Sequence, residues 1–333
     1  MLRRHNTTLI PAAQIAAQAV AAIAAAQSRI CLISTTFRAD DADSQSIVDA
    51  LCAAGRRGVI VSVCADSYTY TEPKEFILRA PKRQPLRAFR AMKMERTLKQ
   101  SGIDFHWLGS KSNIGFAGRT HSKWLVADDT VFSFGGTNFD KESFENTDYL
   151  FKLTDAALAD QLFSQHLRII KADKAGHATK NHTIHINDRS KVLIDGGMLG
   201  NSIIYRRACQ LAEQAESIVL VSQYCPTGKL NRILKRKSAT LYFNHWRHAS
   251  WMNKLLIQFG MTLTRQTTAY QRDNYLHAKY LIYVLPDGTK VALSGSHNYM
   301  FGSVLLGTRE VALETTDKTI IRQLEQFLDK YVK

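Results

Sequence analysis

One polar pattern is written twice in this chain, and the recurrence constrains its fold more than any other feature. The first copy is His121-Ser-Lys123-Trp-Leu-Val-Ala-Asp128, then six residues, then Gly135-Gly136-Thr137-Asn138. The second is His277-Ala-Lys279-Tyr-Leu-Ile-Tyr-Val-Leu-Pro-Asp287, then seven residues, then Gly295-Ser296-His297-Asn298. In a strand, residues i and i+2 share a face, so each His would point the same way as its Lys. The apolar run after each Lys reads as a buried strand. Asp128-Asp129 and Pro286-Asp287-Gly288 read as turns, and a returning strand would bring Gly and Asn back beside His and Lys. The pattern therefore predicts two hairpins, each presenting an imidazole, an ammonium and an amide on one surface.

The segments upstream repeat as well. Ala12 to Gln27 reads as an amphipathic, Ala-rich helix and Ser28 to Phe37 as a strand. Asp41 to Ala54 reads as a helix and Val59 to Cys64 as a buried strand. The same order returns as a helix from Ile203 to Ala215, a strand from Ser217 to Tyr224, a basic helix from Lys229 to Lys237 and a strand from Thr240 to Phe243. Helix and strand alternating in this way imply an α/β fold with mixed, mostly parallel sheets. Two pseudo-symmetric α/β/α sandwich halves follow, spanning 1–185 and 186–333, with the polar, His/Lys-rich run Lys171 to Ser190 as the linker.

With 44 Lys+Arg against 29 Asp+Glu the formal charge is +15, which points to anionic partners: nucleic acid, a phospholipid surface or phosphorylated substrates. The longest apolar stretch, Ile10 to Ala26, is mostly alanine and is interrupted by Pro11, Gln14 and Gln18, so it does not read as a membrane span. The same glutamines interrupt any secretory signal behind Arg3 and Arg4. Five cysteines with no C-x-x-C pair read as reduced thiols. A cytoplasmic protein, peripherally associated with the inner face of the cell membrane, is the expectation.

The grouping has a chemical logic. Attack on a phosphodiester builds charge on the phosphoryl oxygens, which positioned cations and amide donors stabilise. A neutral imidazole can attack and a protonated one can act as general acid. Two hairpins facing across a pseudo-twofold axis would supply one of each around a shared central active site, with no metal and no cofactor.

The doubled H-x-K-x4-D-x6-G-G/S-x-N pattern resembles the phospholipase D superfamily, and the upstream repeats extend the likeness over most of the chain. The opening stretch, with Arg38-Ala-Asp-Asp and Arg56-Arg57-Gly58-Val59, is most similar to the cardiolipin-synthase-like branch. The resemblance implies a phospholipase D-like fold and a two-step reaction through a phosphohistidine. It makes His121 the nucleophile and His277 the acid that protonates the leaving alkoxide, then the base that activates alcohol or water. Lys123, Lys279, Asn138 and Asn298 would hold phosphate oxygens, with Gly136 and Ser296 beside them in the substrate site. Asp148 and Glu310 match the family's carboxylates that orient the imidazoles, much as in a serine-protease triad. The second motif departs from the pattern: Val284 stands five residues after Lys279, and Asp287 comes three residues late, so Asp287 reads as a turn residue.

The resemblance leaves the substrate open. Phosphatidyl transfer between phospholipids, cardiolipin-synthase-like, is the leading expectation, with hydrolysis as another outcome. The substrate would be an anionic phospholipid and the acceptor an alcohol or water. A nuclease acting on DNA or RNA is the alternative. One chain carries both motifs, so a monomer would suffice. The run Lys74 to Lys99, with nine Lys/Arg, two acids and interleaved Phe76, Ile77, Leu78, Leu86, Phe89, Met92 and Met94, suits an anionic lipid interface, a helix packed on the core or a nucleic-acid groove. Phe139, Tyr299 and Phe301 are candidates to line the mouth of the site. His245 and His248 lack a third metal ligand, and His182 and His185 read as solvated linker residues.

Overall fold

The computed structural model describes residues 7–69, 86–109, 118–249 and 251–333. The expected basic run from Lys74 lies outside the described residues as far as position 85. Two seven-stranded mixed sheets are flanked by helices. In the first, β1 (Thr8–Pro11), β7 (Tyr149–Thr154), β6 (Thr130–Ser133), β5 (Trp124–Ala127), β2 (Arg29–Ser34), β3 (Ile60–Asp66) and β4 (Asp104–Leu108) lie side by side in that order. The second runs β8 (His182–Asn187), β9 (Ser190–Gly196), β14 (Arg309–Thr315), β13 (Lys290–Gly295), β12 (Tyr280–Val284), β10 (Ser217–Val221) and β11 (Ser238–Tyr242). The run 7-6-5-2-3 of one sheet matches 14-13-12-10-11 of the other.

Among the described strands, β2·β3, β3·β4 and β10·β11 pair in parallel and the other pairs are antiparallel. The sheets are thus mixed but mostly antiparallel, where the sequence pattern implied mostly parallel. The cause is local. Each motif contributes a hairpin plus a returning strand, and short turns can only make antiparallel neighbours. Strand β8 also begins at His182, so the linker is shorter than expected and residue 185 falls inside a strand. His182 and His185 sit in that strand.

Local chemistry sets the element ends. Helix α2 (Ala42–Arg56) starts at Asp41, whose carboxylate accepts from Ser44 N at 2.9 Å while the Ser44 hydroxyl accepts from the Asp41 backbone N–H at 3.2 Å. The turn residue Asp128 accepts from Gln27 N, Ser28 N, Ser28 Oγ and Arg29 N, at 2.6–3.0 Å. Burial raises its carboxyl, but these donors outweigh it and bring it down to about 2. Asp128 therefore fastens the start of β2. Asp287 is exposed and accepts from Thr289 N and Thr289 Oγ1 of its own turn, both at 2.9 Å.

The outer face of each sheet is covered by its own half's helices. Between the sheets lies a core built from both halves. Cys31, Trp124 and Tyr149 pack there with Tyr280, Val311 and Phe327, joined by helices 156–174 and 318–327. The halves therefore meet face to face through apolar surface, which holds them in one orientation. All five cysteines are free and buried. Among the described residues, no helix is long and apolar enough to cross a membrane.

Candidate active site

Neither H-x-K tripeptide is itself in a strand. The strands begin one residue later, at Trp124 and Tyr280, and each lead-in pairs with the opposite half. His121 N donates to Arg309 O at 2.8 Å, and Arg309 N to Arg119 O at 2.8 Å, at the start of β14. Reciprocally, His277 N and Ala278 N donate to Thr147 O at 3.0 Å, and Thr147 N to Tyr275 O at 2.9 Å, just before β7. Backbone groups that leave a sheet need partners when buried. Here each lead-in finds them on its counterpart's returning strand, and the two motifs are drawn together.

The carboxylates cross in the same way. His277 Nδ1 stands 2.7 Å from Asp148 Oδ2, and His121 Nδ1 stands 3.2 Å from Glu310 Oε1. Each acid thus serves the histidine of the other motif. Gly136 N at 3.1 Å and Tyr149 N at 2.8 Å donate to Asp148. Glu310 accepts from the Ser296 hydroxyl and from Thr308 Oγ1 at 3.2 Å. With Nδ1 engaged in this way, Nε2 of each ring makes no hydrogen bond among the described residues, and it is the nitrogen left for chemistry.

Burial competes with charge throughout the site. It raises Asp148, but the bond and charge of His277, with Lys279 behind, bring the carboxyl below the usual range. Glu310 is likewise pulled down against burial, to about 2, chiefly by His121. Burial pushes Lys123 down to about 8, opposed by Glu310 and Asp148. It pushes Lys279 to about 7, opposed by Asp148 and reinforced by Lys123. Burial and then Lys279 hold His277 down to about 4 despite Asp148. Both lysines therefore feel both carboxylates, as one charge cluster. The rings differ in access, since the His121 side chain is 27% exposed and that of His277 14%.

Lys123 Nζ donates to His121 O at 2.7 Å and to Thr35 Oγ1 at 2.8 Å, and Lys279 Nζ donates to His277 O. Gly136 is a close-approach glycine: a Cβ there would stand 2.5 Å from His277 O, 2.7 Å from Asp148 Oδ2 and 2.8 Å from Lys279 Nζ. Its counterpart Ser296 spends its hydroxyl on Glu310 and accepts from Val311 N at 3.1 Å. Asn138 is tied to its own half, accepting from Ser34 Oγ at 3.3 Å and donating to Ser143 Oγ at 3.3 Å. Buried Asn298 differs, because its Oδ1 has no partner among the described residues. Next to it, buried His297 accepts from Tyr299 N at 2.8 Å on Nδ1, and its Nε2 is unpartnered among the described residues.

Phe139 and Tyr299 are fully buried core residues rather than a mouth lining, because the chain folds inward after each Asn; Phe301 is exposed. His245 caps its own short turn through Nδ1, accepting from Arg247 N at 3.3 Å. Among the described residues, no three His, Cys, Asp or Glu side chains group as a metal site would require. Sequence reasoning missed Thr35, which holds Lys123, and Thr36, whose hydroxyl donates to Asp140. The available signal was two hydroxyls at the carboxyl end of a buried parallel strand, where α/β sheets place ligands.

Residues 19–169 match the family model described as cardiolipin synthase, PLD-like domain. Over that span the chain is similar to a phospholipase D-like domain. Among solved structures it is similar to phosphatidylserine synthase from Haemophilus influenzae Rd KW20, with a TM-score of 0.72 at 15% identity over 98% of this chain and 87% of that one. It also resembles polyphosphate kinase from Porphyromonas gingivalis, with a TM-score of 0.62 at 13% identity over 98% of this chain and 50% of the kinase. A search of curated proteins found no match. The matched model ends at residue 169, and the likeness to the synthase shows that both halves share that structure's fold.

Proposed function

We propose that this chain transfers a phosphatidyl group from an anionic phospholipid to an alcohol or water through a phosphohistidine. The observation that carries the reading is the crossed pair of imidazoles, each with its Nδ1 within 3.2 Å of a buried carboxylate of the opposite half. His121 Nε2 attacks phosphorus, the bond to the leaving alkoxide breaks, and that oxygen takes a proton from His277. In the second step His277 removes the proton of the acceptor hydroxyl. The acceptor oxygen then bonds phosphorus and the phosphorus–nitrogen bond breaks. Lys123, Lys279 and the Asn298 amide stabilise the charge that builds on the phosphoryl oxygens, and Asp148 and Glu310 support the imidazolium forms.

In the free protein His277 is neutral near pH 7. A bound phosphodiester brings negative charge to the two lysines and raises the proton affinity of the ring, which takes up its proton as substrate arrives. The test is incubation with phosphatidylglycerol vesicles, with and without ethanol, beside single-stranded DNA. Phosphatidylethanol or cardiolipin is the expected product, and it disappears in His121→Ala and His277→Ala. Nicked DNA with unchanged lipid would instead establish a nuclease.

A further inference from the structure

The helix Trp251–Thr264 (α8 in chain order) buries one face and leaves another bare. Ile257, Gly260 and Thr264 face inward, and Thr264 Oγ1 lies 3.0 Å from the Cys225 Sγ. On the outer side Leu255, Leu256, Phe259 and Leu263 are 54%, 45%, 68% and 65% exposed. Their spacing of three and four residues makes a continuous stripe. The helix starts past the carboxyl end of β11, and Tyr224 Oη donates to Asn253 Oδ1 at 2.7 Å. Gln223, which bonds both Tyr224 and Tyr275 at 3.1 Å, links this first turn to the segment leading into His277. The stripe therefore lies on the element that borders the active site.

Charge identifies what the stripe meets. From Ser217 to Arg272 the chain holds no Asp or Glu but nine Lys or Arg, including Arg247, Lys254 and Arg265 around this helix. Arg247 and Lys254 both lie over the Trp246 ring, 5.2 and 5.1 Å from its centre. The counterpart in the first half repeats the design. Helix 86–100 starts beyond the carboxyl end of β3, where Arg87 Nε donates to Thr69 O at 2.9 Å. It exposes Leu86, Phe89 and Met92 among Arg87, Arg90, Lys93 and Arg96. Between it and the Arg38–Asp40 loop lies a cavity of about 290 Å³. Exposed apolar side chains framed by cations are the signature of a helix lying in an anionic bilayer interface.

We infer that helix 251–264, seconded by helix 86–100, docks the protein on an anionic phospholipid bilayer with the active-site end turned to the headgroups. The inference rests on the lipid reading above and names the surface that serves it. The test compares wild type with Leu255→Ser/Phe259→Ser/Leu263→Ser, and with Arg247→Gln/Lys254→Gln, in flotation with phosphatidylglycerol/phosphatidylcholine vesicles. Turnover of a soluble short-chain phosphodiester and sedimentation velocity are measured in parallel. The triple variant should lose about a hundredfold in vesicle partitioning. The charge variant should lose about tenfold, and only at low salt. Soluble turnover should be unchanged in both, which also reports that they are folded. Wild-type vesicle binding by the triple variant, or no vesicle binding by wild type that turns over soluble substrate, overturns the inference. So does a wild-type dimer that the triple substitution splits while vesicle binding persists. Loss of vesicle binding in a protein without phosphodiesterase activity would uphold the surface and reject the function.

Discussion

Replacing Gly136 with alanine places one methyl group at the junction of the two halves. Three polar atoms stand where that methyl must go: His277 O at 2.5 Å, Asp148 Oδ2 at 2.7 Å and Lys279 Nζ at 2.8 Å. An ordinary carbon contact needs about 3.4 Å or more, so these groups must retreat by roughly half to one ångström, in a packed interior that yields little. All three belong to the crossed imidazole–carboxylate arrangement, and a displacement of about 1 Å there costs on the order of a hundredfold in turnover. The fold should survive, because a small overpacking costs about 1–3 kcal/mol. Gly135→Ala provides the contrast. Its Cβ would stand 1.8 Å from Tyr149 O, which is backbone of β7, so that variant should fail to fold. The assay is kcat and KM on a soluble short-chain phosphatidylglycerol, with a thermal melt of each variant. Gly136→Ala with wild-type kcat, or with a melt as damaged as that of Gly135→Ala, would refute the reasoning.

Asp148→Asn should keep its shape and lower kcat by about 10⁴, as expected when an imidazole loses its orienting charge; a loss below tenfold in steady-state kinetics would show that His277 needs no carboxylate. Binding of orthovanadate near pH 6.5 should take up protons, because His277 and Lys279 are depressed to about 4 and about 7 in the free protein. Titration calorimetry in buffers of different ionisation enthalpy reads this directly, and proton release would contradict it. Burial holds His166, His277 and His297 down to about 3, 4 and 4, below the ordinary 6.5. The unfolded chain then binds protons that the folded chain refuses, so stability should fall as pH drops through 6.5. Each ring contributes up to about 2 kcal/mol by pH 5, and equal denaturant midpoints at pH 7 and pH 5 would refute this. EDTA should leave turnover of the short-chain substrate unchanged, since the proposed steps use imidazole, ammonium, amide and carboxylate groups of the chain itself.

Features governed by neighbours along the chain were legible before any coordinates. Asp41 announces α2, the apolar run after each Lys forms a buried strand, and Asp128 and Asp287 sit in turns, as local chemistry requires. The doubled motif also pointed to residues that the fold does bring together across the two halves. Properties that depend on the opposite half were not legible. Nothing near His277 indicates that its carboxylate comes from Asp148 rather than Glu310, because that depends on how two sheets stack. Local alternation suggested parallel pairing, yet the returning strands make most pairs antiparallel. Leu255, Leu256, Phe259 and Leu263 carry the spacing of an inward face, and the burial of Ile257 and of Thr264, which lies against Cys225, turns them outward. Ser296 read as a substrate contact, whereas its hydroxyl is already engaged by Glu310.

On the proposed mechanism, the exchange of carboxylates between halves makes catalytic competence a property of assembly. A fragment ending before β8 would hold a complete motif, yet its imidazole would lack the acid that orients it, as would the remaining fragment's. Neither piece alone would, on that mechanism, hold an imidazole beside its orienting acid. On the same mechanism the site would be incomplete during synthesis until β14, which carries Glu310, is in place.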